Sequence, residues 1–309
     1  MPKIPFKQNT KVIGRFAPSP TGPLHFGSLV AATASYLHAR YNPNSEWYLR
    51  IEDLDTQRSH SKHTASIIHT LEKFCFEWDG DIVYQSDRTS YYQDALDNLK
   101  DTVYPCSCTR KFLKATLSDD NTFGYIYPGN CRDSLTIENS SHLSTRIRTY
   151  SEQISFTDSI QGIFGQDIQN DVGDFILKRA DGSFAYQLAV VVDDHLQGIN
   201  QIVRGADLFD NTPRQIYLQK LLGFDTPQYS HIPVAVDQRG KKLSKQNLAP
   251  DVNNHEKTKS LIKVLTFLGQ DTPNRDDFSN LGDFWTYAVQ NWDQSKIPKT
   301  LTQYAPPYE

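Results

Sequence analysis

Two separated clusters in this chain have the residue types needed to handle a phosphate. The first is the loop Pro18-Ser19-Pro20-Thr21-Gly22-Pro23, running into Leu24-His25-Phe26-Gly27-Ser28. His25 can donate a hydrogen bond to a phosphate oxygen, and Gly27 has no Cβ to keep a phosphate or base off the backbone. A helix starting here would add unpaired N–H groups and partial positive charge. The second cluster is Gly240-Lys241-Lys242-Leu243-Ser244-Lys245-Gln246. A flexible ammonium can follow a pyrophosphate as its charge develops and departs. Taken singly, the first is also what an ordinary proline-rich loop looks like, and the second a solvated basic turn.

The cysteines form a third cluster. Cys106, Cys108 and Cys131 lie close together, whereas Cys75 sits between Phe74 and Phe76 in an apolar helical run and reads as core. Three thiolates leave a closed zinc site one ligand short. Tyr127, Asp133 and His142 are the nearby candidates, and ordinary zinc chemistry favours the histidine. Three reduced structural cysteines without metal are the alternative. A metal is favoured over disulfides because the start of the chain shows no apolar secretory segment.

These residues need a scaffold. Residues 11–17 read as a strand that ends at the prolines. Residues 27–40 have helical spacing, 47–51 form a second strand closing on Glu52-Asp53-Leu54-Asp55, and 82–84 form a third. Helices are expected over 65–76 and 91–99. This alternation predicts an α/β fold with a parallel sheet. Residues 104–150 carry the cysteines and little periodicity, as an inserted subdomain would. Residues 175–178, the Asp181-Gly182 turn and 184–192 read as a hairpin followed by an apolar run, so Asp193-Asp194-His195 would follow a strand. Further strands are expected at 199–205 and 232–236. Helices are expected over Thr212–Leu222, which Gly223 stops, over 260–268, and around 284–289.

Composition narrows the class. A chain of 309 residues suggests about two domains at roughly 150 residues each. With 38% hydrophobic residues and no run near the ~18 needed to span a bilayer, it fits a soluble globular protein rather than a membrane protein. A net charge of -4 excludes a globally basic nucleic-acid binder but not a local basic surface. No 20–50-residue repeat is visible.

Taken as an ordered set, the motifs resemble a known family. PSPTGPLHFGS resembles the HIGH signature of class I aminoacyl-tRNA synthetases, and KLSKQ their KMSKS loop. RFAPSPTG, RIEDLD, FAYQLAVVVDDH and IVRGADL resemble the glutamyl branch, with Ser28 at the fourth HIGH position. The cysteine cluster, the KLSKQN form of the loop and the early stop are closest to the glutamyl-Q tRNA(Asp) synthetases, truncated paralogues of glutamyl-tRNA synthetase. The similarity runs from Gly14 to about Trp292.

The resemblance implies a Rossmann-like parallel-sheet catalytic core with an inserted zinc-binding subdomain and a small C-terminal helical piece. The expected division is 1–103 for the first half of the catalytic domain, 104–185 for the insert, 186–249 for the second half, and 250–309 for a helical region without an anticodon-binding domain. Glutamate contacts map onto Arg15, Phe16, Ala17, Pro18, Ser19, Glu52, Tyr186 and Arg204. ATP contacts map onto His25, Gly27, Lys242 and Lys245, with His25 and Lys245 catalytic. Two carboxylates and an ammonium call for guanidinium partners and a counter-anion, which suits the glutamate set, though which arginine takes which carboxylate is open. The family pattern places Tyr127 as fourth ligand of a structural Zn2+, with Cys106, Cys108 and Cys131. Asp193-Asp194-His195 invites a metal reading, but a structural or substrate-orienting role is favoured, since only nucleotide-borne Mg2+ is needed with ATP.

The implied reaction makes glutamyl-adenylate from L-glutamate and ATP. The glutamyl group then passes to queuosine at the wobble position of tRNA(Asp), in a cytoplasmic, membrane-free, monomeric enzyme. The short stretch from Lys245 to Glu309 suits an active site that meets an anticodon loop directly. A truncated glutamyl-tRNA synthetase charging a 3′ end, or a catalytically silent RNA- or adenylate-binding regulator, are the alternatives.

Overall fold

The computed structural model describes residues 11–109, 111–113, 126–133, 143–243 and 251–306. Strand β1 (Ile13–Phe16) leads through helix α1 (Phe26–Arg40) to β2 (Glu46–Ile51), and α2 (Ser61–Lys73) leads to β3 (Val83–Tyr84) and α3 (Thr89–Asn98). β1 and β2 pair in parallel from Ile13 opposite Glu46 to Phe16 opposite Leu49, and β2 continues in parallel into β3. β9 (Gln201–Gly205) flanks β1 on its other side, where the Asn200 amide donates to the Ile13 carbonyl at 3.1 Å. β10 (Gln228–Ile232) pairs in parallel with β9. The spatial order is therefore β3-β2-β1-β9-β10. The chain leaves β1 toward β2, while β9 arrives from far along the sequence. That reversal opens a crevice at the carboxyl ends of the central strands, where open α/β sheets bind ligands.

The insert is antiparallel. β4 (Val103–Cys106) pairs with β5 (Ser144–Ile147), which pairs with β8 (Ile176–Lys178). β6 (Gln153–Asp158) and β7 (Gly162–Asp167) form a hairpin, with Asp158 accepting the Ile160 and Gln161 amides at its turn, both at 2.9 Å.

Three sequence expectations need correction. Cys75, read as core, is exposed: α2 ends at Lys73, and the chain turns at Cys75 with φ 55°, which buries Phe74 and Phe76 and leaves the thiol between them outside. The apolar run after the hairpin is helix α4 (Tyr186–Leu196), and only Phe184 bridges back to Lys178. Every residue from Leu188 to Asp194 is buried, so the helix has no polar face to print a 3.6-residue period. Asp193 and Asp194 thus lie on a helix, not after a strand. The expected strand at 232–236 is two, β10 and β11 (Val234–Val236), parted at Pro233, which has no N–H to donate to a ladder. Helix α5 (Thr212–Leu222) has the expected bounds and stops at Gly223, which takes φ 71°.

Beyond Asp251 the chain forms α6 (Lys257–Phe267), α7 (Leu281–Gln290) and β12 (Thr302–Tyr304), which joins β11 in parallel. These elements share one apolar core with α1 and β2: Leu261, Val264, Phe284 and Trp285 pack with Leu29, Trp47 and Leu49. The Trp285 ring lies 4.9 Å from Tyr36 and its Nε1–H donates to the Phe74 carbonyl at 2.8 Å. A second core gathers α3, α4 and α5 around Tyr92, Leu188 and Leu218. Among the described residues no helix is long and apolar enough to cross a membrane.

Candidate active site

At the carboxyl end of β1 the Arg15 guanidinium is buried and meets Asp194, with Nε 3.1 Å from Oδ1. At the end of β2 the fully buried Arg50 reaches Asp194 at 2.8 Å, Glu52 at 3.5 Å and Asp193 at 3.9 Å, and donates to Gln197 at 2.7 Å. Successive helical residues point about 100° apart. Asp193 therefore faces another set: Arg88 at 2.6 Å, Gln85 at 2.8 Å and the Tyr92 hydroxyl at 2.8 Å. Burial raises the Asp194 pKa, but Arg15 and Arg50 outweigh it and hold the carboxyl below its ordinary value. Glu52 goes the other way. Burial pushes its pKa up to about 7, against the lowering pull of Arg50 and Arg15.

Arg204, at the end of β9, is also buried, but its partners are neutral acceptors. It donates to His231 Nε2 at 2.9 Å, Gln215 at 2.8 Å, Thr212 Oγ1 at 2.9 Å and the Leu208 carbonyl at 3.4 Å. Asp207, the partner its spacing suggests, pairs instead with Lys242. Burial raises the Tyr186 pKa at the start of α4. Arg15, Phe16, Ala17, Ser19, Glu52, Tyr186 and Arg204 all line one cavity of about 430 Å³.

A second cavity of about 470 Å³ adjoins it, with Phe16, Ser19, Ala31, Gly205 and Asp207 lining both. Pro18, His25, Gly27 and Lys242 line the second. His25 is the N-cap of α1, its Nδ1 accepting the Ser28 amide at 3.3 Å. In the neutral ring this leaves the proton on Nε2, which stands 3.2 Å from Ser28 Oγ. No acidic residue occupies the first turn of α1, so its dipole is left to an anion. A Cβ on Gly27 would lie 3.2 Å from the His25 ring, which would have to give by a few tenths of an ångström, and in ordinary contact with the Leu243 carbonyl at 3.6 Å. Lys245 lies outside the described residues.

The cysteine cluster closes around Tyr127. Cys106, Cys108 and Cys131 bring their sulfurs within 4.8 Å of one another. The Tyr127 hydroxyl is 3.4 Å from both Cys106 and Cys108 sulfurs, and Cys108 and Cys131 sulfurs are 3.6 Å apart. Metal–sulfur bonds of about 2.3 Å at tetrahedral angles place sulfurs roughly 3.8 Å apart. Three thiols and a phenol at these separations therefore fit a four-coordinate cation. Burial raises the Cys131 pKa, but hydrogen bonds from Tyr127 and Ser107 outweigh it and bring the thiol to about 6. Asp133 points to the surface and pairs with Arg148, and His142 lies outside the described residues.

Sequence reasoning missed Arg50, hidden in the apolar strand EWYLRI, and did not single out Gln85, Arg88 and Arg179. The signal for Arg50 was a guanidinium inside a buried strand, which needs buried acids. It also missed His231, which touches Arg204, and Asp158, which touches His231, because only the fold brings them together. His195 takes no part: it stacks on Phe224 with ring centroids 3.7 Å apart.

Two adjoining cavities therefore sit at the switch point of a parallel sheet, one walled by guanidinium groups and the other at a helix N-terminus. Residues 11–291 match the family described as tRNA synthetases class I (E and Q), catalytic domain. The chain belongs to this family and is a ligase of the aminoacyl-tRNA synthetase type. It is 48% identical over 297 residues to a Glutamyl-Q tRNA(Asp) synthetase of Aromatoleum aromaticum, covering 95% of this chain and 93% of that one. A protein of the same name from Dechloromonas aromatica is 46% identical, covering 94% and 97%. Among solved structures, a glutamate-tRNA synthetase from Elizabethkingia anophelis superposes with TM-score 0.77 at 25% identity, covering 94% of this chain and 67% of that one.

Removing Asp194 would strand two buried guanidinium groups. Asp194→Asn is expected to cost about 3–5 kcal/mol in chemical denaturation. Breaking the exposed Lys220–Glu152 pair by Lys220→Ala should cost under about 1 kcal/mol. Equal losses would show that the buried set does not organise the site.

Proposed function

We propose that the protein activates L-glutamate with ATP and transfers the glutamyl group to queuosine in tRNA(Asp). The observation that carries this reading is the 48% identity, over 95% of the chain, to a protein of that name. The geometry supports it. Arg204 and Arg15 suit carboxylates, Glu52 the ammonium and Tyr186 a hydroxyl contact, all in the first cavity. The seam at Ser19 and Gly205 lets a carboxylate there reach a nucleotide in the second cavity.

In the first step a glutamate α-carboxylate oxygen attacks the α-phosphorus of ATP. The bond from that phosphorus to pyrophosphate breaks, and pyrophosphate leaves with its Mg2+. His25 Nε2–H, the α1 N-terminus, Lys242 and Lys245 would stabilise the charge, so the protein contributes positioning and electrostatics. In the second step a queuosine hydroxyl attacks the mixed anhydride. An ester forms, AMP leaves, and the hydroxyl proton passes to solvent.

We read residues 1–103 and 186–249 as the catalytic halves, 104–185 as an inserted zinc-binding and acceptor subdomain, and 250–309 as the C-terminal region. Cys106, Cys108, Cys131 and Tyr127 would hold a structural Zn2+, which would tie β4 to the segment around Tyr127 and supply no chemistry to the reaction.

The function is tested by charging tRNA(Asp) with radiolabelled glutamate, with and without queuosine. Label is expected only on queuosine-containing tRNA and should stay on the anticodon-loop fragment, not on the 3′-terminal fragment, after ribonuclease cleavage. Equal labelling of both tRNAs through the 3′ terminus would contradict the proposal. For the metal, Cys131→Ser should bring zinc content from about one per chain toward zero. Cys75→Ser should leave it unchanged; a zinc-free wild-type protein made in zinc-replete cells would overturn the assignment.

A further inference from the structure

Arg204 is oriented from behind by a buried pair that the reaction scheme leaves unused. An arginine Nε–H can only donate, so the His231 Nε2 that lies 2.9 Å from it must present a lone pair. The ring proton then sits on Nδ1, which donates to Asp158 Oδ2 at 2.6 Å. Asp158 is fixed in turn: it accepts the His231, Ile160 and Gln161 amides from the hairpin turn and from β10. His231 and Asp158 are both almost wholly buried. The imidazole packs edge-on to Phe209 at 5.1 Å and parallel to Tyr229, whose ring also lies 5.3 Å from the Arg204 guanidinium carbon. Burial and the neighbouring Arg204 keep the ring neutral, its pKa lowered to about 4.

The arrangement solves a specific problem. A carboxylate touching Arg204 would fix it in place but would neutralise it and compete with the substrate's own carboxylate. Placing a neutral imidazole between Asp158 and Arg204 transmits the orientation without the direct ion pair. Among the described residues, Gln215, Thr212 and the Leu208 carbonyl complete the set of hydrogen-bond partners of Arg204, none of them charged. Arg15 and Arg50, by contrast, are directly paired with acids.

We propose that Asp158 and His231 are positioning residues that lock the Arg204 guanidinium toward the glutamate cavity and leave its charge for a substrate carboxylate. This rests on the reading of Arg204 as a glutamate-binding residue. His231→Leu removes the acceptor, and Asp158→Asn offers an amide N–H to Nδ1, driving the ring proton to Nε2 against the arginine. His231→Gln restores an acceptor oxygen at the same reach.

The test is steady-state glutamate-dependent ATP–pyrophosphate exchange, with KM measured separately for glutamate and ATP. His231→Leu and Asp158→Asn should each raise the glutamate KM about tenfold or more, as expected for losing a hydrogen bond to a charged group, while moving the ATP KM less than about twofold. His231→Gln should recover most of that loss. A proportional rise in both KM values, or no rise in either, would overturn the proposal. Arg204→Ala separates the two claims. If it leaves the glutamate KM unchanged, the reading of Arg204 fails. If it raises that KM and neither His231→Leu nor Asp158→Asn does, the positioning role alone fails. Nitrogen-15 NMR of histidine-labelled wild type gives a check independent of variant folding: His231 should be protonated at Nδ1, and a proton on Nε2 would contradict the proposal.

Discussion

Asp194 is the constraint on which the site depends. It stands on α4, yet it neutralises arginines from the ends of both β1 and β2. A buried carboxylate cannot be left alone, and neither can a buried guanidinium, so α4 must pack where both strands terminate. Asp193 extends the same bond network to α3 through Tyr92 and to the turn before it through Gln85 and Arg88. Charge pairing thus joins the second core to the strands of the first. The contacts are expensive to desolvate, and similar cohesion is available from apolar packing. Their retention makes sense where the cavity itself must be polar.

Within that frame the cationic groups have separate tasks. Arg50 is satisfied internally by Asp194 and Glu52, while Arg15, though paired with Asp194, also lines the first cavity and can meet a second carboxylate there. Arg204, held by neutral partners, keeps its charge for a ligand. Burial pushes the Glu52 pKa up to about 7, and in the proposed reading this carboxyl takes the ammonium. The second cavity is built more simply, from a helix N-terminus without acidic residues, Gly27, and His25, whose Nδ1 accepts the Ser28 amide.

Much of the architecture was legible because local rules agree with the fold. The loop after the first strand, the helix α1 and the second strand all survive in the structure, as do the bounds of α5. What was not legible had lost its local signal. Helix α4 is buried all round and therefore shows no period. Arg50 reads as an interruption of a strand until Asp194 is brought to it. His231 and Asp158 lie far apart in sequence and meet Arg204 only when β6 and β10 come together, so no spacing rule could join them. The cysteine cluster sits between: the thiols were obvious, ordinary zinc chemistry favoured His142 while the family pattern named Tyr127, and the fold brings the Tyr127 hydroxyl to the sulfurs.

The central proposal is that the Arg204 guanidinium and the Glu52 carboxyl together select an amino acid with an anionic side chain. Isothermal titration of the protein with glutamate and with glutamine, in buffers of different ionisation enthalpy near pH 7, tests it most directly. Glutamate should bind about tenfold or more tighter than glutamine. Its binding should release a fraction of a proton, because the incoming ammonium favours ionised Glu52, and its affinity should rise as pH increases from about 6 to 8. Equal affinity for the two amino acids, or glutamate binding with no proton release at pH 7, would contradict it.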